Sequence, residues 1–259
     1  MNIKKKAKQF AIIAHKNQVR KAEPEKPLII HPINVAMILE DYGYGSDENL
    51  IAAGYLHDVI EDTNTSKKDI LDNFNYDVTE LIMGATEEDS TLPWEERKQK
   101  AINKTRNLDL RHKLLICADK ISNLEDIQVL MEKNSNYDFS LFNRGYEQQK
   151  WRYEEMYKSL IHNENINTPL FKRLKKLIDE VFTSKNTSVL SVEEKSKKIY
   201  KFRKIEIKKL SRILSNINQN NENIIDLEGK EELLDGIREE YITKINNSLK
   251  KIYSSKIVN

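Results

Sequence analysis

The chain has 259 residues, enough for one large domain or a domain plus an extension. Apolar residues make up 39% and charged residues 32%, and the scarcity of Gly (7) and Pro (5) argues against turn-rich β architecture. With 43 basic and 41 acidic side chains, the net charge of +2 gives no global reason to expect a nucleic-acid binder.

Residues 3–18 read as a first helix, with Ala7, Phe10, Ala11 and Ala14 on one apolar face. The basic start is followed by too short an apolar run for a secretory core, and no stretch reaches transmembrane length. A cytoplasmic protein without membrane association is therefore expected. A loop from Arg20 to Ile30 carries Pro24 and Pro27. His31-Pro32 opens a second helix to about Asp41, with Pro32 early enough that its missing N–H costs little. Gly43 and Gly45 end it. Ser46 or Asp47 can cap a third helix, which carries Ile51, Tyr55, Leu56 and Val59 and, among them, the pair His57-Asp58. Ser66 caps a helix to Phe74, and Asp77 caps one from Val78 to about Thr86. Glu87 to Pro93 reads as a polar loop. Trp94 to Asn103 and Leu110 to about Met131 are helical by composition, with Asp119 near the middle of the latter.

Phe139 to Ile161 reads as one long helix, and Pro169 starts another to Phe182. Thr183 to Ser188 has the composition of a linker. Beyond it, two amphipathic stretches around Ile199–Leu214 and Leu233–Ile252 flank an Asn-rich turn and predict a helical hairpin. The expected organisation is all-α: a helical domain over 1–184 and a helical extension over 185–259. The extension either packs on the body or serves oligomerisation or partner binding. Cys117 is the single cysteine, lies in an apolar run, and reads as a buried, inert thiol.

The residues that carry chemistry are His31, His57, Asp58 and Asp119. Two imidazoles and two carboxylates, without thiolate, suit a first-row divalent ion and leave positions open for water and a phosphate oxygen. Mn²⁺ or Fe²⁺ fits such a set better than a closed structural zinc site. The ion would lower the pKa of its water and neutralise phosphoryl charge. Glu61 and Asp62 follow the His-Asp pair by one helical turn, where a general acid/base or water-orienting group is wanted. Alone, each residue is weak: an Asp followed by Lys on a helix, as in Asp119-Lys120, is most often a solvated pair. His15 reads as a core histidine or a ligand contact. Arg97 and Lys98 read as a solvated face or as phosphate-steering cations. Trp94 and Trp151 read as packing anchors.

Four ordered motifs carry a resemblance. They are Ala14-His15-Lys16-Asn17-Gln18-Val19-Arg20-Lys21, Pro27-Leu28-Ile29-Ile30-His31-Pro32, Leu56-His57-Asp58-Val59-Ile60-Glu61-Asp62-Thr63 and Ala118-Asp119-Lys120-Ile121-Ser122-Asn123-Leu124. Over roughly residues 5–160 the sequence resembles the HD-domain phosphohydrolases, in particular the RelA/SpoT-type hydrolase domain and the small alarmone hydrolases. The resemblance implies an all-helical bundle with His31, His57, Asp58 and Asp119 on one ion, typically Mn²⁺. It implies Glu61 and Asp62 as catalytic acids, Arg20 and Lys21 as nucleotide contacts, and Asn123 near the sugar or base. The implied reaction removes pyrophosphate from the 3′ position of guanosine tetra- or pentaphosphate, the alarmone of the stringent response. Two other readings stay open: hydrolysis of another phosphorylated nucleotide, and a nucleotide sensor without turnover. No nucleotidyl-transfer motif follows the hydrolase motifs.

Overall fold

The computed structural model describes residues 2–21, 23–87, 91–133, 137, 139 and 144–182. The proposed linker and helical hairpin after Phe182 lie outside the described residues. Within them the chain is a bundle of helices with one small hairpin, in agreement with the all-α expectation. The helices are α1 (Ile3–Ala14), α2 (Ile30–Leu39), α3 (Glu48–Leu56), α4 (Val59–Asp62), α5 (Lys67–Asn73) and α6 (Tyr76–Ala85). After them come α7 (Trp94–Arg106), α8 (Leu110–Lys133), α9 (Tyr146–Leu160) and α10 (Pro169–Phe182). None of the described helices is long and apolar enough to cross a membrane.

Two helices form the axis of the core. Every residue of α2 is buried, from Ile30 through Leu39, and α8 is buried along Leu114 to Ala118 and again at Ile121 and Leu124. A helix apolar all round must be enclosed by others. α3 and α8 pack on α2, α10 packs on α8, and α1 and α6 pack on α3. Helix α10 closes one side with a single stripe: Leu170, Phe171, Leu174, Leu177, Ile178, Val181 and Phe182 are all buried. Arg111 clamps three elements together, reaching Asp47 at 2.8 Å and Asp77 at 2.7 Å. Asp47 also caps α3, accepting from the Leu50 amide at 3.0 Å.

Several boundaries differ from expectation. The first helix stops at Ala14, because Asn17 takes a left-handed conformation (φ 68°) and turns the chain. The predicted loop after it contains an antiparallel pair, β1 (Val19–Arg20) with β2 (Glu23–Pro27). Asn75, not Asp77, caps α6, and Asp77 serves Arg111 instead. Phe139 has φ 65° and lies outside any helix, so the expected long helix begins only at Tyr146. The third helix is not continuous. It ends at Leu56, His57 and Asp58 form a turn, and a new helical turn starts at Val59.

Candidate metal centre and cavity

His31 enters from the first turn of α2, His57 and Asp58 from the corner between α3 and α4, and Asp119 from the middle of α8. Gly54 lets α3 and α2 approach closely: a Cβ there would lie 3.1 Å from the Ala36 Cα and 3.3 Å from the Leu39 Cδ1. That approach brings the two imidazoles together, with Nε2 atoms 3.2 Å apart. Asp119 Oδ1 lies 3.1 Å from His31 Nε2 and 3.8 Å from His57 Nε2. Asp58 presents Oδ1 at 3.2 Å from His57 Nε2 and Oδ2 at 3.5 Å from His31 Nε2. An ion held at about 2.1 Å by nitrogen and oxygen donors sets adjacent donors about 3.0–3.5 Å apart. His31, His57 and Asp119 each offer one donor atom close enough to the others to hold a divalent ion, and Asp58 lies beside them with one oxygen toward each imidazole.

The far side of each ring is also arranged for ligation. His57 Nδ1 donates to the Gly54 carbonyl at 2.9 Å, which leaves Nε2 with its lone pair toward the centre. His31 Nδ1 meets Ser122 Oγ at 2.9 Å, and Ser122 in turn accepts from Asn34 Nδ2 at 2.9 Å. Asp119 Oδ1 accepts from Asn123 Nδ2 and Oδ2 from Lys120 Nζ, each at 2.6 Å.

Four polar groups this close and this buried polarise one another. Burial and then the Arg20 charge hold His31 below its ordinary pKa. Burial also opposes protonation of His57, but the charge and hydrogen bond of Asp58, with Asp119, outweigh it and raise His57 to about 9. For Asp119, burial is overcome by Lys120 and by His31, and the carboxyl is held well below its usual range. Asp58 is likewise held low by His57 against the effect of burial.

These four residues line a cavity together with Glu61, Arg20 and Asn123. Glu61 accepts from the Glu87 amide at 2.7 Å. Although solvent reaches it, the surrounding protein and then Asp58 push its pKa up to about 7. Asp62 is similarly raised to about 6, chiefly by desolvation and then by Asp58, but it is not part of the cavity lining. Arg20 bonds Asn123 Oδ1 and Asp126 Oδ2, both at 2.9 Å, so two expected nucleotide contacts sit side by side. Lys21 is exposed on the turn of the hairpin and does not line the cavity. His15 is a buried core histidine whose Nδ1 meets Gln18 Oε1 at 2.7 Å. Trp94 and Trp151 pack on each other with ring centroids 6.3 Å apart, as packing anchors would.

The fold also brings to the cavity cations that the sequence left as solvated or did not single out. Lys120 turns into the cavity rather than into solvent. Lys98 lines it as well and is ion-paired to Glu87, so the steering alternative describes it better than the solvated one. Arg152 projects into it from α9, and Lys104 from α7 anchors the Met83 and Thr86 carbonyls at 2.8 and 3.1 Å. Arg152 carries no signal in the sequence, because which wall it faces depends on the tertiary placement of α9.

Residues 7–140 match the HD domain family model. The Drosophila melanogaster protein named guanosine-3′,5′-bis(diphosphate) 3′-pyrophosphohydrolase MESH1 is 40% identical over 121 residues, covering 47% of this chain and 67% of that one. A solved structure described as a metazoan ortholog of SpoT that hydrolyzes ppGpp superposes with a TM-score of 0.60 at 30% identity, covering 70% of this chain and 96% of the other. The structure of lmo0812 from Listeria monocytogenes EGD-e superposes with a TM-score of 0.56 at 35% identity, covering 60% and 99%. The motifs, the helical arrangement and these matches agree, and the chain belongs to the HD-domain family, alongside its RelA/SpoT-type hydrolases.

Proposed function

We propose that this protein is a metal-dependent guanosine 3′,5′-bis(diphosphate) 3′-pyrophosphohydrolase. The observation that carries the reading is the convergence of His31, His57, Asp58 and Asp119 at one point of a cavity walled by cations. The 40% identity to a protein named for that activity supports the substrate. So does size: at about 160 Å³ the cavity falls below the roughly 300–1,000 Å³ that encloses a whole drug-sized ligand, and suits the diphosphate end of a nucleotide.

In this reading His31, His57, Asp58 and Asp119 hold the ion, with Mn²⁺ first in order and Fe²⁺ next. When bound, the ion supplies Lewis-acid charge and makes its water more acidic. Glu61, kept near neutrality in its pKa, takes a proton from the attacking water, and Asp62 orients that water or relays the proton. Arg20 and Asn123 hold the nucleotide, and Lys21 adds charge at the mouth. Water attacks the phosphorus next to O3′, the P–O3′ bond breaks, and O3′ leaves with a proton as the 3′ hydroxyl. The products are guanosine 5′-diphosphate and pyrophosphate. The working location is the cytoplasm. The hydrolase domain is assigned to residues 1–184, and residues 185–259, outside the described residues, are assigned to oligomerisation or partner binding.

The test is metal analysis followed by incubation with guanosine tetraphosphate and a nucleotide panel, with products separated by ion exchange. His57→Ala and Asp58→Ala are expected to lose both bound manganese and turnover. Unchanged hydrolysis in either variant defeats the mechanism, and release of inorganic phosphate alone defeats the substrate.

A further inference from the structure

The cations of the cavity are not equivalent. Arg20 is paired with Asp126, Lys98 with Glu87, and Lys120 with Asp119. Lys104 is committed to two backbone carbonyls. Arg152 is different: among the described residues no carboxylate pairs with it, although it is half-buried and lines the same cavity. Its guanidinium carbon lies 5.4 Å from the ring centroid of the adjacent Tyr153.

Arg152 shares the cavity wall with Lys98 and Lys120. Its charge bears on both Lys98 and Lys120, and burial followed by Arg152 brings Lys98 down to about 8. Gathering like charges in a partly desolvated wall is unfavourable unless something negative enters. The acids of the cavity are already engaged: Asp58 and Asp119 face the ion centre, Glu61 the Glu87 amide, and Glu87 is paired with Lys98 and Arg97 and feels the Arg152 charge without an ion pair to it. What remains is a planar fork of N–H donors flanked by two ammonium groups. That combination matches a phosphoryl group, which a guanidinium binds through two parallel hydrogen bonds.

We propose that Arg152, flanked by Lys98 and Lys120, is a subsite for the outer phosphoryl group of a 3′-diphosphate, and so selects a diphosphate over a monophosphate at the reacting position. The assignment rests on the polyphosphate reading above and deepens it. The ion centre takes the inner phosphoryl group, where the bond to O3′ breaks. The outer group, one bridging oxygen away, needs its own counter-charge, and Arg152 of α9 provides it. The same subsite then holds the pyrophosphate product until it leaves.

The experiment uses the full chain loaded with manganese, at constant free metal, and titrates it calorimetrically with pyrophosphate and with phosphate. Arg152→Gln is expected to weaken pyrophosphate at least tenfold and phosphate less than twofold, with Arg152→Lys recovering part of the loss. In parallel, kcat/KM for guanosine tetraphosphate falls at least tenfold in Arg152→Gln. Thermal midpoints of both variants check that the fold is intact. Unchanged pyrophosphate affinity, or an equal loss for both anions, overturns the subsite. Wild-type protein that binds pyrophosphate through Arg152 yet leaves guanosine tetraphosphate intact would refute the substrate and uphold the subsite.

Discussion

Glu61 is the residue on which charge and chemistry meet. Its carboxyl is pushed up to about 7, first by desolvation and then by Asp58, against the pull of the Glu87 amide. A carboxyl whose folded pKa exceeds its unfolded value loses stability as pH rises from the unfolded value of 4.5 to about 7. Glu61→Gln is therefore expected to stabilise the metal-free protein at about pH 8, by about 1 kcal/mol because solvent screens this position, and to leave stability near pH 4.5 unchanged. Thermal melts of both proteins at the two pH values check it. The same variant should keep its manganese while turnover falls by about 10²–10⁴-fold, the range for losing a general base. For the active enzyme the acid limb of the rate profile should lie at or below about 7, since a bound cation favours the ionised carboxylate. The acids and imidazoles were legible in the sequence because their types and order are unusual together. Lys120 and Arg152 were not, since a cation in a charged helix gives no sign of which wall it faces.

At the scale of elements, the geometry of the centre depends on one missing side chain. Gly54 sits where α3 crosses α2, and it also provides the carbonyl that holds His57. Gly54→Ala gains helix propensity, about 1 kcal/mol, but drives a methyl against backbone only 3.1 Å away. Overpacking of that kind costs about 1–3 kcal/mol, so a net loss of stability and a weaker manganese affinity are expected together. Denaturant melts and metal titration measure the two. Most helices were readable from their apolar spacing and caps, such as the reciprocal Ser66–Asp69 box on α5. The corner at His57-Asp58 was not, because both residues keep right-handed backbone angles and nothing in their types forbids a continuous helix. The hairpin was equally hidden. Its first strand has two residues, and the second contains Pro24 and Pro27, which argue against pairing.

For the whole molecule, the question is where the folding unit ends. The buried stripe of α10 corresponds to about 10–20 kcal/mol of apolar burial at about 1.5–3 kcal/mol per side chain. That is comparable with the entire net stability of a domain, about 5–15 kcal/mol. A chain cut after residue 184 is expected to keep one cooperative unfolding transition and its hydrolysis. A chain cut after residue 168, just before α10, should not fold. Circular dichroism melts and the chromatographic assay distinguish the two outcomes. The sequence proposes this boundary through the change to linker composition at Thr183, and that linker and the hairpin expected beyond it lie outside the described residues. The β1–β2 hairpin borders the cavity through Arg20, and a single carboxylate reaches both of its strands. Asp126 binds Arg20 of β1 at 2.9 Å and Lys26 of β2 at 3.2 Å. Only Arg20 faces the cavity. Were a ligand to draw Arg20 away from Asp126, Lys26 would still tie the hairpin to α8 through the same carboxylate.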